Sequence, residues 1–164
     1  MKKLTITRLL ALTILLALAS CGNKTAYQES VTLPADTWLR FEPRELSLDI
    51  ANTEDCYEIY VEADIDTSRY REEALPLTFK MTSNQGETRT FFASLMLRSK
   101  DGHTLGQPAE GGYLHYRQRV KEYFYFNVPG QHTLSIGQRT SRYEIKGIHR
   151  VGIIIQKAQL EYPK

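Results

Sequence analysis

From about residue 36 onward, apolar and polar positions alternate with a period of two, which is the spacing of a strand with one buried and one wet face. In the segment Cys56 to Ile65, Tyr57, Ile59, Val61, Ala63 and Ile65 fall on one side, and Glu58, Tyr60, Glu62 and Asp64 on the other. Leu75, Leu77, Phe79 and Met81 repeat the pattern. Ser83-Asn84-Gln85-Gly86 then reads as a turn into Thr88 to Arg98, where Phe91, Ala93, Leu95 and Leu97 align, so the pair predicts a β-hairpin. A loop rich in helix and strand breakers follows, from Leu105 to Gly112. Beyond it, strands are expected over Leu114 to Val128, Thr133 to Gln138 and Gly147 to Lys157, with Pro129-Gly130 as a turn. Adding Trp38 to Phe41 and Leu46 to Ala51 gives about eight strands and no amphipathic helix. The expected class is all-β, a two-sheet β-sandwich of jelly-roll kind.

The start of the chain follows a different pattern. Met1-Lys2-Lys3 is basic, and Leu9 to Ala19 carry no charge for 11 residues. As a helix that run would measure about 16 Å, roughly half the hydrocarbon thickness of a bilayer, so it reads as a signal peptide rather than a permanent span. Leu18-Ala19-Ser20-Cys21 matches the lipobox of bacterial lipoproteins, in which the cysteine is acylated and becomes the mature N-terminus. Residues 1–20 are therefore expected to be removed and Cys21 to carry lipid, including palmitate. Residues 21–35 are expected to form the lipidated N-terminus and a flexible tether, and 36–164 a single sandwich domain. Several acyl chains, at about 0.8 kcal/mol per buried methylene, would make that anchor durable.

Composition adds two exclusions. The chain of 164 residues has 21 basic and 19 acidic side chains, and the leader holds Lys2, Lys3 and Arg8 with no acid, so the mature balance is 18 against 19. That near neutrality disfavours nucleic acid as a partner, because phosphate binding needs clustered positive charge. With Cys21 lipidated, Cys56 stands alone, and the fold must rest on its apolar core without an internal disulfide.

Catalytic signatures are absent from the sequence: no nucleophile elbow, phosphate loop, zinc helix or Cys-x-x-Cys occurs. No enzyme activity, cofactor or metal is expected. His103, His115, His132 and His149 lie far apart, mostly in expected turns. Glu62, Asp64 and Asp66 share parity, which suits either a calcium site or, more simply, an acidic strand edge that discourages aggregation. Trp38 is expected in the core. The most suggestive surface is the odd-numbered set Tyr113, His115, Arg117, Arg119, Lys121, Tyr123 and Tyr125, which one extended strand would present as a basic stripe flanked by aromatics. Such a stripe suits a protein partner or a glycan.

Taken in order, several motifs resemble GldH, the gliding-motility lipoprotein family of the Bacteroidetes. They are Trp38 and Phe41, Tyr57-Glu58-Ile59-Tyr60-Val61, Leu75-Pro76-Leu77, and Asp101-Gly102-His103-Thr104-Leu105-Gly106. Gly130-Gln131-His132-Thr133-Leu134-Ser135-Ile136-Gly137-Gln138-Arg139 and Ile145-Lys146-Gly147-Ile148-His149-Arg150-Val151-Gly152-Ile153 complete the series. The resemblance implies a non-enzymatic accessory lipoprotein of the gliding and type IX secretion envelope machinery, with envelope proteins as partners. It carries over only Cys21 as a functional position. Surface-exported lipoproteins of that phylum carry acidic residues just after the lipidated cysteine, whereas Gly22-Asn23-Lys24-Thr25-Ala26 follows Cys21 here, so the resemblance implies a chain facing the periplasm; attachment to the outer membrane is expected. A carbohydrate-binding lipoprotein is the alternative.

Overall fold

A computed structural model describes residues 25–158. The leader and Cys21 lie outside the described residues. Eleven strands are present among those described: β1 (Thr25–Thr32), β2 (Thr37–Leu39), β3 (Arg44–Ile50), β4 (Tyr57–Ile65), β5 (Ala74–Ser83), β6 (Thr88–Met96), β7 (Gln107–Pro108), β8 (Leu114–Phe124), β9 (Gly130–Gln138), β10 (Glu144–Lys146) and β11 (Ile148–Lys157). A five-stranded sheet runs β1-β11-β4-β8-β7, a four-stranded sheet runs β3-β9-β5-β6, and β2 pairs with β10 in a small ribbon. Every pairing is antiparallel. Of the eight long strands, only β5 and β6 follow each other within one sheet; the chain otherwise crosses between sheets at each step, which is jelly-roll winding.

The alternation read from the sequence produces this architecture directly. Ile59, Val61, Ala63 and Ile65 from β4 and Val151, Ile153 and Ile155 from β11 face Leu46 and Leu48 from β3, Leu134 and Ile136 from β9 and Leu75, Leu77 and Phe79 from β5, all buried. Each of these side chains other than Ala63, fully buried, stabilises the fold by about 1.5–3 kcal/mol. Trp38 is completely buried, and its indole N–H donates to the Glu42 carbonyl at 3.0 Å, so its one polar atom is satisfied inside the core. Tyr70 is likewise interior; its hydroxyl donates to the Ala74 carbonyl, and burial pushes its pKa up to about 12. The expected hairpin is β5–β6, with Ala74 opposite Met96, Thr82 opposite Thr88, and Gly86 in the turn at φ +84.

Several expectations change. The tether expected over 21–35 is a strand from Thr25: β1 pairs with β11 along its length and packs Tyr27 and Val31 against the core. Its outward positions are polar because it is a sheet edge, which hides the alternation. The second addition, β7, lies in the breaker-rich loop, and the third, β10, closes the ribbon over Trp38. The long strand expected to Val128 ends at Phe124, and β9 begins at Gly130 rather than Thr133.

Both ends of the sandwich can be assigned from the register. One end gathers the start of β1, the β3–β4 loop, the β5–β6 turn, the β8–β9 loop and the end of β11. Thr25 pairs with Gln156, Tyr57 with Phe124, and Ile50 with Gly130 there. The β2–β10 ribbon and the β4–β5 and β9–β10 connections occupy the other end.

Candidate functional site

The outward face of the five-stranded sheet carries the densest chemistry. β4 supplies Tyr60, Glu62 and Asp64, β8 places Arg119, Arg117 and His115 directly opposite them, and β11 adds Arg150 and Gln156 from the other side. Asp64 is the hub. His115 Nδ1–H donates to its Oδ1 at 2.7 Å and Arg150 Nε–H to its Oδ2 at 2.7 Å. Burial alone would raise the Asp64 carboxyl, but those two donors outweigh it and hold the pKa below the usual carboxylate range. Glu58 is balanced in the same way: burial opposes ionisation, while hydrogen bonds from Tyr60, Gln156 and Arg119 lower its pKa. Arg119 also pairs with Glu122 at 2.5 Å, and the Arg117 guanidinium lies 4.7 Å from the Tyr60 ring centroid while donating to Gln156.

Glu62 is the exception on this face. It is 4% exposed, Gln28 approaches one carboxylate oxygen at 3.4 Å, and Oε1 is buried with no hydrogen-bond partner among the described residues. Gly152, opposite Glu62, leaves the room this carboxylate needs, since a Cβ there would stand 3.0 Å from Oε1. Gln28, Glu62, Asp64, Ala109, Glu110, His115 and Arg150 enclose an open depression of about 540 Å³.

The acidic series is thus not a strand edge. β4 lies in the middle of its sheet, which is why Glu62 and Asp64 are buried, and Asp66 leaves the face to accept hydrogen bonds from the Ser68 amide and hydroxyl. Nor does one stripe run from Tyr113 to Tyr125. The β4–β8 register shifts on both sides of Ile59, so strict alternation stops after Arg119. Lys121 then rests over Phe91 at 6.0 Å, and Tyr123, with φ +50, and Tyr125 project near the β6 edge. At the other end Tyr113 is held in a second cluster: its hydroxyl donates to Asp36 and its ring stacks on His149 at 4.3 Å.

That second cluster was illegible in sequence. Asp36 accepts from His149 at 2.9 Å, Arg69 at 2.9 Å and Tyr113 at 3.1 Å, and the His149 bond is the leading reason its carboxyl pKa falls. Three of the four histidines, His115, His132 and His149, lie on strands rather than turns, and two of them bind aspartates. No local pattern reports these pairings, because the partners are 51 and 113 residues away. Among the described residues no helix is long and apolar enough to cross a membrane.

Residues 25–155 match the GldH lipoprotein family, whose members are lipid-anchored envelope proteins. The chain belongs to the GldH lipoprotein family and is in that sense a gliding-motility-associated lipoprotein. A comparison with curated proteins returns no match. Among solved structures, the chain is similar to the periplasmic g-type lysozyme inhibitor PliG of Aeromonas hydrophila (8% identity, 80% of this chain, 88% of that chain, TM-score 0.32). It is also similar to Pseudomonas aeruginosa AlgX (16% identity, 84% of this chain, 28% of that chain, TM-score 0.35) and to a xylanase 10C variant from Cellvibrio japonicus (10%, 84%, 26%, TM-score 0.38). At TM-scores this low the similarities carry no weight for chemistry.

Proposed function

We propose that this lipoprotein is a non-enzymatic accessory component of the gliding and type IX secretion envelope machinery, held at the outer membrane by lipid on Cys21 and facing the periplasm. It docks a protein partner on the outward face of the five-stranded sheet. The observation that carries this reading is the Glu62 carboxylate, buried at the centre of that face with one oxygen unpartnered and a depression beside it. A buried oxygen without a hydrogen-bond partner costs stability, so docking that opens the depression and brings a donor to this oxygen gains what the isolated domain lacks.

The surrounding groups support docking over catalysis. Asp64 is committed to His115 and Arg150, Asp36 to His149 and Arg69, and Glu58 to Arg119, so the titratable groups neutralise one another. Protein is favoured over glycan because the ring at the middle of the face, Tyr60, is covered by Arg117, and Tyr113 is stacked on His149.

The test is recovery of partners from the native envelope with the acylated chain and with an Arg117→Glu/Arg119→Glu variant whose unfolding transition is checked separately. Loss of co-purifying envelope proteins from the folded variant is expected. Undiminished recovery would overturn the assignment of this face.

A further inference from the structure

We propose that the end of the sandwich bearing Tyr123 and Tyr125 rests on the bilayer surface, with these two rings and the Lys121 ammonium in the headgroup layer. The inference rests on lipid at Cys21 and on where β1 begins. Only residues 22–24 separate Cys21 from Thr25, the first residue of β1. Even fully extended, that stretch of chain reaches about 14 Å from Cys21 to Thr25. A nine-residue strand such as β4 measures about 30 Å, so only one end of the sandwich lies within that reach.

The register identifies which end. Thr25 pairs with Gln156, Gln156 with Glu58, and the neighbouring Tyr57 with Phe124, so the start of β1 and the end of β8 share one level of the sheet. Tyr123, adjoining Phe124, is 65% exposed, and Tyr125 is 47% exposed. Lys121 pairs with Ile59, whose other partner Ile155 pairs with Tyr27, two residues into β1. Arg89, Thr90, Phe91, Lys121, Tyr123 and Tyr125 line an open groove of about 370 Å³ on the side of this end.

The chemistry of that group suits lipid headgroups. Tyrosine concentrates at membrane interfaces, where its ring meets the acyl boundary and its hydroxyl stays in water, and lysine extends an aliphatic stem along apolar surface to reach phosphate. Lys121 already lies along the Phe91 ring, and Arg89 spans from Glu87 to the Tyr125 carbonyl at 2.7 Å. Phe41 and Tyr143, the exposed aromatic pair at the opposite end, sit beside the β2–β10 ribbon and stay clear of the membrane. This orientation directs the length of the charged face away from the bilayer, where a periplasmic partner meets it.

The test uses the acylated full chain in phosphatidylethanolamine/phosphatidylglycerol vesicles containing lipids with brominated tails, in two variants, Tyr123→Trp and Tyr143→Trp. Trp38 is buried and gives the same background in both. A blue-shifted emission, quenched several-fold more at position 123 than at 143, is expected. Quenching that is equal at the two positions, or greater at 143, would overturn the orientation. Co-sedimentation of each variant with the vesicles is measured first. A chain that fails to sediment removes the anchor and the proposal together, whereas one that sediments with position 123 unquenched removes the orientation alone.

Discussion

The Asp64 carboxylate on β4 holds the His115 imidazole on β8 and the Arg150 guanidinium on β11 at 2.7 Å each, so one buried acid joins three adjacent strands across the outward face of the sheet. An Asp64→Asn change leaves Arg150 facing a neutral amide in a partly buried setting and is expected to lower stability by about 3–5 kcal/mol, the range for breaking a buried ion pair by removing one partner. The pH dependence follows from the sign of the shift. The folded carboxyl titrates below its ordinary value of 3.8, so its contribution is fully present above about pH 4 and is lost as pH falls through the lower folded value. Chemical denaturation of both proteins between pH 7 and about pH 2.5 should show the gap closing only at the acid end. A gap that is constant with pH would contradict this account.

Glu62 should behave in the opposite sense. Replacing it by Gln keeps the shape and removes a buried charge with an orphaned oxygen, so Glu62→Gln is expected to leave stability unchanged or raise it by up to about 1 kcal/mol. The same change should reduce recovery of envelope partners. Paired unfolding and pull-down measurements separate the two effects.

Two glycines with similar backbone angles should respond unequally. Gly86 has φ +84 and open space where a Cβ would stand, so Gly86→Ala is expected to cost about 1 kcal/mol from backbone strain alone. Gly147 has φ +92, and a Cβ there would stand 2.8 Å from the Asp66 carbonyl oxygen and 3.0 Å from the Tyr70 amide. Backbone cannot retreat cheaply, so Gly147→Ala should cost at least about twice as much. Thermal melts of the two variants under one condition test the ranking.

Tyr113→Phe removes one of three donors to Asp36 while keeping the stack on His149. A small loss of stability is expected, because the lost bond is to a charged acceptor but lies at the surface. A change in stability comparable to Trp38→Ala, for which about 3–5 kcal/mol is expected, would mean that Tyr113 does more than complete this cluster.

The legible part of the molecule was the part with one face in the core. β5, β6 and β11 carry uninterrupted alternation or apolar runs, and their burial follows it; β4 alternates in sequence too, but its polar Glu62 and Asp64 are also buried because the strand is central. β1 escaped because Gln28, Glu29 and Thr32 are exposed at a sheet edge, leaving only Tyr27 and Val31 to report burial. The stripe on β8 was half legible: Arg117 and Arg119 share a face as the alternation implies, but the register shifts at Ile59 belong to a partner strand more than fifty residues away. Salt links such as Asp64–Arg150 and Asp36–His149 depend on sheet order, which no local pattern encodes.

The central claim, that lipid on Cys21 holds this jelly-roll domain against a membrane, is tested most directly by labelling living cells with a radioactive or alkyne-tagged palmitate and isolating the protein beside its Cys21→Ala variant. The parent should carry label and fractionate with membranes, and the variant should do neither. An unlabelled parent, or a variant that partitions as the parent does, would contradict it.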